Sequence, residues 1–341
     1  MAARPLHVDY VSDPLPGGSL GDAVELLAGA NLPLLALGAV GGVAALLLWP
    51  ALRAVPDVDA GIRTLASYRP YVPWMLRLSL GLPLVGAGFA GYFISPSVPV
   101  AARLFQVVVG FFLLFGLFTR AVAVVGLLGY LVVLPSYPQL VLAFEYVGGF
   151  LAIAIVGPGQ PSADGLLRRV AVTEGTYLRR WGLDEWFLSR RVAERVSTDL
   201  LAPILRVTLG VTFVYLGVAE KLLNPEQALT VVAKYDLTAV VPVSPETWVA
   251  GAGLTEAAVG LALIAGVATR GVGVVAFLLF TTTLFGLPDD PVLAHVSLFG
   301  LTSALLVLGS GPYALSVPPV VRRLRGSRDP DSGGEPAADA D

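Results

Sequence analysis

Residues 246–287 read ETWVAGAGLTEAAVGLALIAGVATRGVGVVAFLLFTTTLFGL. Only Glu246, Glu256 and Arg270 are charged, and no proline interrupts the run. About 20 apolar residues cross a bilayer as a helix. This stretch is too long for one crossing and predicts two, cut at Thr269-Arg270. Residues 101–137 behave in the same way, cut at Thr119-Arg120. Working outward through the proline and glycine punctuation between apolar runs, nine spans follow: 30–49, 74–94, 101–118, 121–137, 140–156, 201–223, 246–267, 271–287 and 291–309. The predicted fold class is all-α, a polytopic membrane protein.

The balance of the whole chain agrees. Of its 341 residues, 55% are hydrophobic and 14% charged, with a mean hydropathy of +0.76. A soluble protein carries about 25% charge, so a soluble enzyme, a nucleic-acid binder and a disordered chain are excluded. There is no cysteine, which removes disulfides, thiol redox work, Fe–S clusters and covalent haem attachment. The two histidines, His7 and His295, fall at very different depths and do not suit a bis-histidine haem. No nucleotide-binding motif is present either.

Arginine and lysine in short loops set orientation. With the N-terminus outside, 18 of the 22 cations fall on or near the inner face; Arg4, Arg103, Lys221 and Lys234 remain outside. The expectation is a multi-pass protein of the cell membrane, N-terminus out and C-terminus cytoplasmic. The N-terminal tail has no basic start before a cleavable apolar core, so no signal peptide is read there.

The chain also repeats itself. Arg77-Leu-Ser-Leu-Gly81 matches Arg206-Val-Thr-Leu-Gly210, and Gly88 matches Gly217 at the same spacing. Gly110, Gly116, Thr119 and Arg120 match Gly260, Gly266, Thr269 and Arg270 at an offset of 150. Four helices per unit leave both units in the same orientation, as parallel repeats. The expected organisation is an outer tail at 1–29, an anchor helix at 30–49, a four-helix repeat at 74–160, a basic cytoplasmic linker at 161–200, a second repeat at 201–317 and a disordered tail at 318–341. Arg-Arg recurs in the linker at 168, 179 and 190, beside Trp181, Trp186 and Phe187. This suits anchoring at the inner surface, with partner docking as the alternative.

A four-helix unit opening R-x-x-L-G-x(6)-G-x-x-x-K, with a mid-helix Glu thirteen residues before a Thr-Arg turn, resembles the DoxX/DoxD family. The likeness is best in 203–317: Arg206, Gly210, Gly217, Lys221, Glu256, Gly260, Thr269, Arg270, His295 and the closing Gly309-Ser-Gly311-Pro-Tyr313. The first unit ends in Gly157-Pro-Gly159-Gln-Pro-Ser162-Ala-Asp164, similar to the family's ending. Together the two units cover roughly 200 residues.

The first unit is an internal control for the second. Opposite Glu220-Lys221 stand Gly91-Tyr92, opposite Glu256 stands Gln106, and opposite His295 stands Phe144. Arginines and glycines shared by both units read as scaffold. Lys221, Glu256 and His295 belong to one unit only, and helical spacing lets them line an outward-opening cavity. Glu220 lies on the stripe Arg206, Gly210, Phe213, Gly217, with Lys221 at its edge. Glu256 is about 15 Å inside its helix, where an isolated charge costs about 2.5–3.5 kcal/mol. It is therefore either neutral and hydrogen-bonded or paired with a cation.

Plainer readings stand beside this. Intramembrane Glu and His also hold helices together without chemistry, and Arg77, Arg120, Arg206 and Arg270 suit topology and snorkelling. Glu145 reads as structural, and Asp289-Asp290 as solvated acids in an outer turn. A metal site from Glu220, Glu256 and His295 lacks any ligand-spacing motif. The connection 224–245 reads as a lid over the cavity or a surface helix.

Two function classes and a scaffold remain open. The resemblance implies the membrane subunit of a quinone-linked oxidoreductase complex. Glu256 would then handle protons, Lys221 and His295 orient the ligand, and Arg206 with Arg270 close the inner side, with Glu220 as a further ligand contact. No cofactor is identified by the residues themselves; quinone is the one the resemblance suggests. Electrons would come from a soluble or membrane redox partner, or from substrate. The alternatives are a transporter or binding protein for a small solute or lipid, and a non-catalytic assembly scaffold. The lipid bilayer is the one partner that composition requires, and an oligomer is left open.

Overall fold

The computed structural model describes residues 18–96, 98, 103–180 and 198–315. The expectations for His7, for Arg190 with Trp181, Trp186 and Phe187, and for the tail at 318–341 lie outside these. The described residues are helical, with an isolated bridge between Phe93 and Ser95. The chain is an all-α polytopic membrane protein. Five helical stretches are long and apolar enough to cross a membrane: Leu32–Leu52, Pro56–Ala90, Thr198–Leu222, Pro245–Ala265 and Thr269–Gly286. Four shorter apolar helices accompany them: Arg103–Phe115, Thr119–Val133, Glu145–Val156 and Val292–Leu308.

In chain order the helices are α1 (Leu20–Gly29), α2 (Leu32–Leu52), α3 (Pro56–Ser67), α4 (Val72–Ala90), α5 (Arg103–Phe115), α6 (Thr119–Val133), α7 (Glu145–Val156) and α8 (Ala163–Val172). Then come α9 (Leu201–Gly217), α10 (Pro225–Lys234), α11 (Pro245–Ala265), α12 (Thr269–Gly286) and α13 (Val292–Leu308). Helices α4 to α7 close one four-helix circuit and α9, α11, α12 and α13 a second. The circuits are not separate bodies. Helix α13 packs more extensively on α4 than on α9, and α7 more extensively on α9 than on α4. One core runs through both, including Leu76, Leu80, Phe150, Leu205, Phe213 and Leu301.

Glycines set the tightest contacts. A Cβ on Gly210 would stand 2.6 Å from the Gly260 carbonyl, and one on Gly260 would stand 2.5 Å from the Gly210 carbonyl. Only residues without a side chain let α9 and α11 approach so closely. Gly81 and Gly110 do the same for α4 and α5, with 3.0 Å in each direction. Sequence length alone predicted the cuts at Thr119-Arg120 and Thr269-Arg270, and the backbone supplies their form. Phe118 and Ala268 adopt the same left-handed conformation, φ 47° and ψ 36°, immediately before the Thr-Arg pair.

The arginines satisfy backbone carbonyls at helix ends and in the loops just beyond them. Arg77 donates to the carbonyls of Leu113, Leu114, Pro158 and Pro161 at 2.6–2.9 Å. Arg206 reaches the Pro312 and Tyr313 carbonyls at 3.4 and 3.3 Å. Arg120 reaches Ile155, and Arg270 reaches Leu306 and Val307. The last carbonyls of a helix have no partner within it; Arg77 at Leu113 and Leu114, Arg120 and Arg270 supply one while meeting the negative end of its dipole. Pro158, Pro161, Pro312 and Tyr313 lie instead in the loops that follow α7 and α13. Asp164 adds a cap in the first circuit, accepting from the Phe118 and Thr119 amides and the Thr119 hydroxyl.

Helix α2 has no buried residue in its apolar window, as expected of a span facing lipid. It is fixed at its ends, where the Asn31 amide donates to Thr247 Oγ1 at 2.8 Å and Trp49 lies over Gly271. Helix α1 is an element absent from the sequence expectation. Its Ser19 and Asp22 form a reciprocal capping box, the pattern that starts a helix, and Leu26 is buried against α10 and α11.

Candidate functional site

The distinctive polar groups of the second circuit gather near one end, where α9 does not finish as an α-helix. Val218–Leu222 form a π turn, closed by the Leu223 amide donating to the Val218 carbonyl at 2.8 Å. A π turn holds about one residue more than an α turn and is often found at functional positions. The extra residue carries Glu220 away from the Gly217 stripe and leaves Lys221 beneath Gly217. A Cβ on Gly217 would stand 2.4 Å from the Gly253 carbonyl and 3.1 Å from the Glu256 Cβ. This close approach brings Lys221 Nζ to Glu256 Oε2 at 2.7 Å, with both side chains 15% exposed. Glu256 is therefore paired with a cation.

His295 is brought to a different acid. Its Nε2 lies 3.6 Å from Asp290 Oδ2, and both side chains are almost fully buried. Its Nδ1 faces the Pro291 carbonyl at 3.4 Å. Asp290, expected as a solvated turn acid, is 5% exposed. The reason is a tight turn in which the Asp290 amide donates to the Leu287 carbonyl, folding its side chain inward while Asp289 points out. Burial pushes the Asp290 carboxyl up to about 7, against the opposing pull of the Lys221 ammonium. That influence also places Lys221 within electrostatic reach of Asp290, so Lys221, Glu256, Asp290 and His295 form one neighbourhood.

Two buried atoms, one in this cluster and one on the adjoining helix α10, are unpaired in a way that buried polar groups rarely are. Asp290 Oδ1 accepts nothing, and Gln227 Nε2 on α10, whose Oε1 accepts from Asn224, donates to nothing. Helix α10 packs against the π turn and α11, so the connection 224–245 supplies a cover. An exposed clasp holds it, with Lys234 Nζ and the Tyr235 hydroxyl both donating to Asp289 Oδ2 at 2.9 and 2.6 Å. The Tyr235 hydrogen bond, then the Lys234 contact, holds the Asp289 carboxyl below its ordinary range.

Arg206 and Arg270 do not join this cluster. Arg206 lies fifteen residues along the helix from Lys221, or about 22 Å; it binds carbonyls of the loop after α13, and Arg270 those at the end of α13. Glu220 stands in the π turn, half-buried beside the cluster. Glu145, at the junction of the circuits, accepts from Thr212 and Ser297 at 3.2 and 2.9 Å. Among the described residues no group of His and acidic side chains is arranged to hold a metal. Asp290 and Gln227 were missed because an acid beside Pro291 and an amide in a polar connection carry no periodic signal. The doublet Asp289-Asp290 between two spans was the one available hint.

These elements fall in one segment. Residues 201–296 match the DoxX family model. The match runs from the start of α9 to just beyond His295, and so includes Lys221, Gln227, Glu256 and Asp290. No curated protein and no solved structure matches the chain. The DoxX match covers the second circuit up to the first turn of α13. The correspondence of the first circuit rests on its own residues: Gly81 with Gly110, Phe118, and the carbonyl-capping Arg77 and Arg120.

Proposed function

We propose that this DoxX-like membrane protein is the membrane subunit of a quinone-linked oxidoreductase complex, with its head-group site at the Lys221–Glu256–Asp290–His295 cluster. The observation that carries the reading is Asp290 Oδ1, a buried acceptor without a donor, beside a cation. Gln227 Nε2 is the complementary buried donor. A quinone carbonyl could accept from Gln227 Nε2, and a quinol hydroxyl could in addition donate to Asp290 Oδ1.

The quinone would supply two-electron chemistry coupled to two protons. In this reading Lys221 and Gln227 would be the donors to a quinone carbonyl oxygen. Asp290 holds a proton up to about pH 7, which suits release or uptake near neutrality. Glu256 lies beside Lys221 at 2.7 Å, and its carboxylate is the second group proposed to handle protons. Electrons would enter from a redox partner or directly from substrate. We further propose that the circuits are tandem repeats and that the chain lies in the cell membrane with its N-terminus outside, on the arginine asymmetry.

Mass spectrometry of the gently purified full chain tests the site. Bound quinone is expected in the native protein and is expected to fall in Asp290→Asn and Glu256→Gln. Unchanged ligand content, partner subunits and phenotype in both variants would overturn the redox reading in favour of a scaffold. Uptake into sealed vesicles that depends on Glu256 would replace it with a transporter.

A further inference from the structure

At the opposite end of the second circuit, Arg53, Arg69 and Arg270 converge from three elements. Arg53 caps the end of α2, Arg69 opens the turn before α4, and Arg270 stands in the first turn of α12. The end of α13 draws two of them together. Arg270 donates to the Leu306 and Val307 carbonyls at 2.9 and 3.2 Å, and Arg69 to the next carbonyl, Leu308, at 3.3 Å. Trp49, one turn before Arg53, packs on Gly271, which follows Arg270. Arg53 and Arg69 both lie within electrostatic reach of Arg270.

None of the three forms an ion pair with an acid among the described residues; the neighbouring Asp59 is taken by Arg63. A guanidinium has five donors. Arg270 and Arg69 spend few of theirs on α13, and Arg53 forms no side-chain hydrogen bond to a described residue. Like charges held together repel unless an anion lies among them. The location decides which anion is at hand. Helix α2 has no buried residue in its apolar window, and Trp49 at its end has the amphipathic ring that favours the head-group level. Basic pockets between helix ends at such a surface bind anionic head groups.

We infer that Arg53, Arg69 and Arg270 form a site for the phosphate of an anionic lipid head group, wedged between the ends of α2 and α13 and the start of α12. The arginines hold the phosphate by hydrogen bonds in fork geometry, and the acyl chains lie along the exposed face of α2. The site is separate from the Lys221–Glu256 cluster and independent of any redox role.

The test is native mass spectrometry of the full chain in detergent, titrated with phosphatidylglycerol, with phosphatidylcholine as the zwitterionic comparator. The native protein is expected to retain phosphatidylglycerol in preference. Arg53→Gln with Arg69→Gln is expected to weaken retention by roughly 30-fold, at about fivefold for each cation. Arg53→Gln alone, which leaves the α13 cap intact, should give about fivefold. Arg63→Gln, which removes a cation already paired with Asp59, should change nothing. Inorganic phosphate that binds and displaces the lipid at millimolar concentration would support the same arginine site with a soluble anion as its source. Equal retention of the two lipids, or equal retention by the native protein and Arg53→Gln, would overturn the proposal.

Discussion

The two helix circuits solve one structural problem in two ways. In the first, Gln106 on α5 donates to the Leu84 and Tyr92 carbonyls and accepts from the Ile94 amide at 2.6 Å. One neutral amide thus seals the turn after α4. At the corresponding place in the second circuit stands Glu256, which seals nothing and faces Lys221 from a π turn. The first circuit spends its polar group on its own backbone; the second spends its group on another side chain. A backbone-satisfied amide is inert scaffold. The second circuit instead gathers a charged pair, an almost fully buried acid with an unpaired oxygen and a histidine.

The largest way to break the comparison is through the glycines that bring these groups together. Gly260→Ala puts a methyl 2.5 Å from a backbone carbonyl and 2.8 Å from Val214, leaving little room to yield. Gly110→Ala first meets the Val85 side chain at 2.7 Å, with backbone at 3.0 Å. Overpacking costs about 1–3 kcal/mol, so Gly260→Ala is expected near the upper end and Gly110→Ala near the lower. Thermal unfolding in detergent measures both. Equal losses would mean that the two interfaces are equally tight.

Asp290 gives the next largest effect, and it depends on pH. Its folded carboxyl titrates near 7 because of burial, whereas an unfolded aspartate titrates near 3.9. Between these values the unfolded chain has released a proton that the folded chain retains. Stability therefore falls as pH rises from about 4 to about 7, then levels off. Asp290→Asn should remove this slope and stabilise the protein above pH 7 by on the order of 2–3 kcal/mol. The pH profile of Tm should flatten in the variant. An unchanged profile would place the titration elsewhere.

The Lys221–Glu256 pair comes third. Lys221→Met leaves Glu256 without its cation, at a cost of about 1–2 kcal/mol for a pair still partly exposed. Adding Glu256→Gln should recover most of that loss, since Gln106 shows that an amide fits the matching place. Failure of the double variant to recover would mean that α11 cannot use a glutamine as α5 does.

What sequence made legible follows from these contrasts. The all-α fold, the Thr-Arg turns and the glycine faces were readable because each is a periodic or length-limited signal. So was the asymmetry of Lys221, Glu256 and His295, read against the residues aligned with them in the first circuit. Their partners were not readable. The assignment of His295 to Asp290 rather than Glu256 depends on a turn that inverts one of two adjacent aspartates. The alignment of Lys221 depends on a π turn, which the residue pattern Val-Ala-Glu-Lys-Leu does not announce. Arg206 and Arg270 look like ligand groups by type, yet their carbonyl partners lie far along the chain at the other end of the helices.

The smallest effect concerns the cover. The first circuit needs no clasp, because Gln106 closes its turn from within. The second is held from outside, where Lys234 and Tyr235 meet Asp289 in an exposed ion pair that salt readily screens. Asp289→Asn is therefore expected to leave Tm almost unchanged. What should change is opening of α10: amides of 225–234 should exchange hydrogen faster in the variant than in the native protein, with α11 unaffected. High salt should have the same effect on the native protein and little further effect on the variant. If exchange in α10 proves the same in both, then Gln227, Val231 and Val232, buried beneath α10, hold it without the clasp. Access to Asp290 would in that case be governed by apolar packing, and the circuits would differ in what they enclose but not in how they are closed.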